Sequence, residues 1–130
     1  MAYQSTTTMV RWSPWDYADK SWTGRDITGY GIDAIDGSIG KVDEATWDTG
    51  SSYLIVDTGP WILGKKVMLP AGVVSLVDHP NKRVVVNRTK DQIKGTPEFD
   101  ESMLADTGYR ERLGKYYGEG GAGWYEYKNF

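Results

Sequence analysis

The chain has 130 residues, a net charge of −3 and no cysteine. The length fits one domain, and the lack of cysteine excludes disulfides, thiolate nucleophiles and zinc sites of the cysteine-rich kinds. No apolar run approaches the roughly 18 residues needed to span a bilayer, and a pI of about 5.1 disfavours a dedicated nucleic-acid binder, so we expect a soluble chain without direct nucleic-acid binding.

The first predicted segment is an aromatic-rich extension over residues 1–29. It begins without the basic and apolar regions of a secretory signal, so we expect a cytoplasmic protein. Disordered tails are normally poor in aromatic residues. The extension is therefore predicted to pack, either on its own chain or on a second subunit.

A β-rich core follows, in which short apolar runs with many β-branched residues are bounded by Gly, Pro or Asn. The predicted strands are Ile32–Ile35, Ile39–Trp47, Ser52–Asp57, Lys65–Leu69, Val73–Val77 and Arg83–Asn87. Asp36-Gly37 is a two-residue hairpin signal, and His79-Pro80-Asn81 marks the tip of a later turn. Residues 53–56 are apolar at every position, which predicts a strand covered on both faces.

Charge is distributed unevenly along this core. Residues 31–60 carry one Lys against five Asp and one Glu, a net charge of −5, whereas residues 61–99 carry seven Lys or Arg against three acids, a net charge of +4. One interpretation is that acidic and basic strands lie side by side in one sheet, where opposite charges attract. The other is a modest basic face for an acidic partner.

Trp61 lies on the connection before the strand that begins at Lys65. A large aromatic residue near a turn commonly closes the end of a small core, so one interpretation makes Trp61 a plug. The other makes Trp61, Lys65 and Lys66 a partner-binding surface, because small barrels present aromatic-lined grooves on their loops.

Two helical segments are predicted after the strands. Thr89-Lys-Asp-Gln92 fits a capping box, which predicts a short helix that stops by Gly95. A second helix is predicted over Tyr109–Tyr117, because Leu113 lies at helical spacing from the tyrosines that follow it. The residues from there to Phe130 form a second aromatic tail.

The two ends of the chain hold most of its aromatic residues. Of 17 in total (six Trp, nine Tyr and two Phe), thirteen lie in residues 1–30 or 109–130. Left in water, they would expose far more apolar surface than the largest patch of a typical monomer, so we expect a homo-oligomer joined through these flanks. The candidate contacts are Trp12, Trp15, Trp22, Tyr116, Tyr117 and Trp124.

Several segments occur in an order that resembles one known family. They are Ile39-Gly-Lys-Val-Asp-Glu44, Tyr53-Leu-Ile-Val-Asp-Thr-Gly59, Trp61-Ile-Leu-Gly-Lys-Lys-Val-Met-Leu-Pro70 and Arg83-Val-Val-Val-Asn87, with a continuation through residues 89–100. The chain thereby resembles PRC-barrel domains, and Tyr116-Tyr117-Gly118 is similar to the tail of stand-alone bacterial members. The predicted organisation is an extension over residues 1–29, a PRC-barrel domain over residues 30–100, and a helix with an aromatic tail over residues 101–130.

The resemblance implies a mainly β fold: a small SH3-like β-barrel of about six strands, with one or two short C-terminal helices and aromatic-rich flanks. Related barrels occur in the H subunit of the photosynthetic reaction centre, where the domain caps a membrane complex, and in a ribosome-maturation factor, where it helps to bind a ribosomal protein. Neither barrel is an enzyme. We therefore expect a non-enzymatic interaction or assembly module without a cofactor. The alternatives are an accessory of a photosynthetic or electron-transfer membrane complex, with peripheral association, and an RNA-processing or ribosome-associated factor.

No residue pattern predicts a catalytic or metal site. The single histidine, His79, follows Asp78 in a turn, and neighbouring residues at a strand end point in different directions, so we expect a solvated turn residue and no catalytic dyad. The acidic residues crowded between Asp33 and Asp57 lack the alternating spacing of a calcium loop, and we assign them to turns, caps and the sheet surface. Residues 118–123 match G-x-G-x-x-G outside any βαβ unit, so we expect no dinucleotide site.

Overall fold

A computed structural model of the chain describes residues 7–11, 13–61, 65–97, 99–121 and 124–128. The candidate contact residue Trp12 lies outside this set, and Trp124 is described by its backbone alone.

The described chain is mainly β, and its largest element is a six-stranded mixed sheet. The strands in chain order are β1 (Thr7–Arg11), β2 (Gly31–Ala34), β3 (Gly37–Ala45), β4 (Tyr53–Asp57), β5 (Lys66–Pro70), β6 (Val74–Asp78), β7 (Arg83–Val86) and β8 (Trp124–Lys128). The sheet order is β5-β4-β3-β2-β7-β6; β2 and β7 run parallel, and the other neighbours run antiparallel. All six predicted core strands are confirmed, with ends that differ by no more than two residues.

The edges of this sheet are joined by the chain itself. β5 leads into one turn of 3-10 helix, Ala71–Val73, which leads directly into β6. β5 and β6 are the two outermost strands, and they are not paired with each other. In its hydrogen bonding the six-stranded sheet is therefore open.

One glycine fixes how closely two strands approach. Gly40 of β3 has a φ of +140°, and a Cβ added there would lie 2.1 Å from the carbonyl oxygen of Asp57 in β4. No side chain fits this position, so the close packing of β3 on β4 requires glycine.

The first helix, α1 (Lys90–Lys94), begins at the predicted capping box. The Thr89 hydroxyl accepts a hydrogen bond from the Gln92 backbone N–H at 3.2 Å, and the Gln92 side chain accepts one from the Thr89 N–H at 2.8 Å. The helix ends at Gly95, as predicted.

The second helix, α2 (Thr107–Gly121), is longer than the predicted range at both ends. Tyr109, Leu113 and Tyr117 recur every four residues and are buried, so one face of α2 packs into the core. Within the described residues, neither helix combines the length and the apolar character needed to cross a bilayer.

One core joins the sheet, α2 and the described part of the aromatic-rich extension over residues 1–29, which we call the leader. The buried aromatic and aliphatic residues outside the sheet include Tyr17, Trp22, Ile27, Tyr109, Leu113 and Tyr117. Backbone hydrogen bonds fix the leader at one end of the sheet, where the N–H of Ser52 donates to the Trp15 carbonyl and the N–H of Gly72 donates to the Pro14 carbonyl, each at 2.9 Å. The described part of the leader thus packs on its own chain.

The two ends of the chain meet in a separate two-stranded sheet. β1 pairs antiparallel with β8, so that Thr7 is opposite Lys128 and Arg11 is opposite Trp124. The sequence did not predict these strands, because each is short and its partner lies at the opposite end of the chain.

Candidate protein-interaction surface

The three residues of the predicted partner-binding surface, Trp61, Lys65 and Lys66, contact different parts of the fold. Trp61 is half-buried against the core, and its ring centroid lies 5.3 Å from Nζ of Lys90, the first residue of α1. Lys66 Nζ lies 2.9 Å from a carboxylate oxygen of Asp43. That hydrogen bond and the charge of Asp43 raise the pKa of Lys66. Lys66 is therefore an ion-paired residue of the sheet surface, and Trp61 packs towards α1.

Lys65 is exposed and lies directly before β5. Its carbonyl accepts a hydrogen bond from the Thr58 hydroxyl at 2.7 Å, which ties the start of β5 to the end of β4. The partner-binding role of these residues stays a prediction.

Acidic and basic residues alternate across neighbouring strands. Lys41 of β3 is opposite Asp57 of β4, which is in turn opposite Lys66 of β5. On the other half of the sheet, Arg83 of β7 contacts both carboxylate oxygens of Asp33 in β2, with Nε at 2.9 Å from one of them. For these residues the side-by-side interpretation of the charge distribution is confirmed.

Two of the candidate oligomer contacts are core residues. Trp22 is 4% exposed and Tyr117 is 1% exposed. Trp22 packs edge-on against Tyr17 with ring centroids 4.6 Å apart, and the Tyr17 hydroxyl donates to the carbonyl of Thr46 at 2.5 Å. Both candidates therefore offer little surface to a second copy.

Trp15 and Tyr116 are half-buried and join the flanks to the rest of the fold. The guanidinium of Arg110 lies 5.4 Å from the Trp15 ring and 5.1 Å from the Tyr53 ring, so it is held by aromatic residues of the leader and of β4. The Tyr116 hydroxyl donates to the carbonyl of Gln92 at 2.5 Å, which fastens α2 to α1.

A cavity of about 100 Å³ is lined by Arg88, Gln92, Tyr116 and Tyr117. Burial lowers the pKa of the Arg88 guanidinium, which donates to the Tyr117 carbonyl at 3.1 Å. The Tyr117 hydroxyl is hydrogen-bonded to Thr96. This cavity is well below the roughly 300–1,000 Å³ of small-molecule sites, and these polar groups serve contacts within the fold.

His79 lies in a turn, as predicted, but it is half-buried and not solvated. Its Nδ1 lies 3.0 Å from the Tyr30 hydroxyl, and the two rings meet edge-on. Tyr30 is 49 residues away in the sequence, which is why local reasoning missed this contact. Asp78 accepts hydrogen bonds from Asn81. In the part of the chain that the structure describes, no three His, Asp or Glu side chains are placed to share a metal ion.

The large apolar side chains that the structure places in solvent are Ile35 (63% exposed), Leu76 (51%) and Trp47 (41%). Ile35 lies in the β2–β3 turn and Trp47 follows the other end of β3, so both belong to loops. Leu76 differs from them because it lies within a strand.

A β-bulge explains the exposure of Leu76. Val74 is opposite Val86 and Leu76 is opposite Val85, so Ser75 is an extra residue on β6. Without the bulge, Val74 and Leu76 would lie on the same face, because side chains alternate along a strand. Val74 is buried, whereas Leu76 points outward beside Val85. The sequence contains no signal that marks this bulge, so Leu76 was not among the predicted site residues.

β6 is also free along one edge. It is an outermost strand of the six-stranded sheet, and among the described residues it pairs with β7 alone. The opposite edge, β5, begins with Lys66 and ends with Pro70, and charged residues and proline are common guards of sheet edges. The β6 sequence Val-Ser-Leu-Val-Asp contains no Lys, Arg or Pro. We call β6 together with Leu76 and Val85 the β6 edge surface.

Comparisons with known proteins add no relative: no family model matches the chain, and no similar curated protein was found. The resemblance to PRC-barrel domains stays a prediction.

Proposed function

We propose that the protein is a non-enzymatic interaction and assembly module of the PRC-barrel type that forms a homo-oligomer. The observation that carries the proposal is the open β6 edge, where Leu76 is 51% exposed in the middle of a strand that has a neighbour on one side only. Such an edge presents unpaired backbone N–H and C=O groups, and these groups are a template for another chain.

The barrel form of the proposal is supported by the joint between β5 and β6. Pro70 and Val74 are separated by the three residues of the 3-10 turn, and four Cα–Cα steps span at most about 15 Å. The outermost strands of a flat six-stranded sheet would lie about 24 Å apart. A sheet whose two edges converge at this joint must be curved. An SH3-like barrel needs such curvature.

The non-enzymatic part of the proposal is supported by how polar groups are used. His79 contacts Tyr30, Arg83 contacts Asp33, and Arg88 donates to backbone carbonyls. Each of these contacts lies within the fold. The alternatives, an accessory of a membrane complex or a ribosome-associated factor, rest on the resemblance alone, and no contact among the described residues favours either.

Sedimentation equilibrium of the chain over a concentration series tests the proposed assembly. We expect the average mass to rise with concentration from the 14.6 kDa of the monomer towards a multiple of it. A mass of one chain at every concentration would overturn the assembly function.

A further inference from the structure

We infer that the β6 edge surface docks on the same surface of a second copy, with the two β6 strands antiparallel about a two-fold axis at Leu76. The inference rests on the proposed assembly function and names the surface through which two copies assemble. It places the contact at β6 and not at the aromatic flanks, where Trp22 and Tyr117 are buried in the core.

The free edge requires an extended partner. In an antiparallel ladder, alternate residues direct their N–H and C=O groups away from the paired neighbour. Because β7 lies on one side of β6, these groups of β6 point away from the sheet. A second strand satisfies them in the same way that β7 satisfies those on the other side.

A row of side chains crosses the sheet to this edge and becomes apolar towards it. Asp33 of β2 is opposite Val85 of β7, and Val85 is opposite Leu76 of β6. The charge of Asp33 is met by Arg83 within the same sheet. A charged side chain at the outermost position is one way in which native sheets guard an edge. Here the bulge at Ser75 turns a leucine outward at the outermost position.

The strand is complementary to itself in one orientation. Antiparallel pairing centred on Leu76 places it beside the partner's Leu76 and extends the apolar row across the axis to Val85 of the partner subunit. Asp78, the one charged residue of β6, then lies opposite the partner's Val74. The Asp78 carboxylates of the two copies are therefore at opposite ends of the paired strands. Parallel pairing would place the two carboxylates side by side, which is destabilising.

The β5 edge is a poorer partner for β6. Pro70 has no N–H to donate, and Lys66 is engaged with Asp43. Pairing of β6 with β5 of another copy would also leave a free β5 at one end and a free β6 at the other, and so propagate into an open array. Pairing of β6 with β6 closes as a dimer, because it uses the one outer edge of the six-stranded sheet whose strand has no lysine, arginine or proline.

Single-cysteine variants test the register, because the chain has no cysteine of its own. Directly opposite residues of an antiparallel pair have Cβ atoms about 4.5–5.5 Å apart, close enough for a disulfide after a small shift. Leu76→Cys should therefore form a disulfide-linked dimer under mild oxidation at least about ten times faster than Ile35→Cys, whose parent residue is 63% exposed in the β2–β3 turn. Equal rates for the two variants would overturn the inference.

A charge test by sedimentation separates this inference from the proposed function. Leu76→Lys brings two cations together across the axis and should raise the dimer dissociation constant by about tenfold or more, whereas the control Ile35→Lys should leave it unchanged. Circular dichroism confirms that both variants fold. A dimer that Leu76→Lys leaves intact overturns the β6 contact while the assembly function stands. A wild-type chain that stays monomeric overturns both the β6 contact and the assembly function. A wild-type chain that binds an unrelated extended peptide but no second copy of itself overturns both as well.

Discussion

Two neighbouring tryptophans differ sharply in burial. Trp22 is 4% exposed and contacts Tyr17, whereas Trp47, whose ring centroid lies 6.3 Å from that of Trp22, is 41% exposed. The same residue type thus fills the core at one position and rests on the surface at the other. The pair allows the structural role of the leader to be measured.

Replacement of Trp22 with alanine should lower the free energy of unfolding by about 3–5 kcal/mol, because it removes a large buried side chain and leaves a cavity. The matched control Trp47→Ala should cost about 1 kcal/mol or less. Urea denaturation of both variants checks the difference. Similar losses for the two would mean that the leader does not pack into the core.

Burial also sets the ionisation of several tyrosines. The Tyr109 hydroxyl donates to the Pro97 carbonyl at 3.0 Å, and burial raises the pKa of Tyr109 to about 12. Burial likewise raises the pKa values of Tyr17 and Tyr117 above their usual range. In each case the fold favours the neutral phenol.

Stability should therefore fall as the solution becomes alkaline. An unfolded tyrosine ionises near pH 10, so the stabilisation from Tyr109 is fully present below about pH 10 and is lost as the pH rises towards 12. Urea denaturation across this range, with phenolate absorbance as a second signal, checks the prediction. Tyr109→Phe should show a smaller loss above pH 10 than the wild type. Phenolate absorbance that rises to completion while the protein stays folded would contradict it.

At the scale of the element, the parts of the fold that local chemistry determines could be predicted from the sequence. Turn residues and β-branched runs gave the six core strands, and the Thr89 capping box gave the start of α1. The parts that depend on distant contacts could not be predicted. These include the β1–β8 pair, the contact of Trp61 with Lys90, and the bulge that moves Leu76 out of the core.

Gly40 gives the sharpest test of strand packing. Gly40→Ala combines an unfavourable φ with a clash against the Asp57 carbonyl and should lower the free energy of unfolding by about 2–4 kcal/mol. Gly50 is the matched control, because its φ of +79° is also positive but the space around it is open, so Gly50→Ala should cost about 1–2 kcal/mol. Thermal denaturation compares the two. A Gly40→Ala variant as stable as the control would contradict the close approach of β3 and β4.

At the scale of the whole molecule, aromatic residues of both flanks and charged residues of four strands make contacts within one fold. The described leader and α2 share the core of the sheet, and Asp33 and Asp43 are paired with cations on other strands. One short sheet edge carries an exposed apolar residue, Leu76, at its centre. Assembly through this edge is the central claim of the account.

Amide hydrogen exchange at two protein concentrations, one below and one above the dissociation constant found by sedimentation, tests that claim most directly. The account predicts that the amides of Val74–Asp78 exchange more slowly at the higher concentration, while those of Tyr53–Asp57, inside the sheet, exchange equally at both. Exchange in β6 that is independent of concentration would contradict the account.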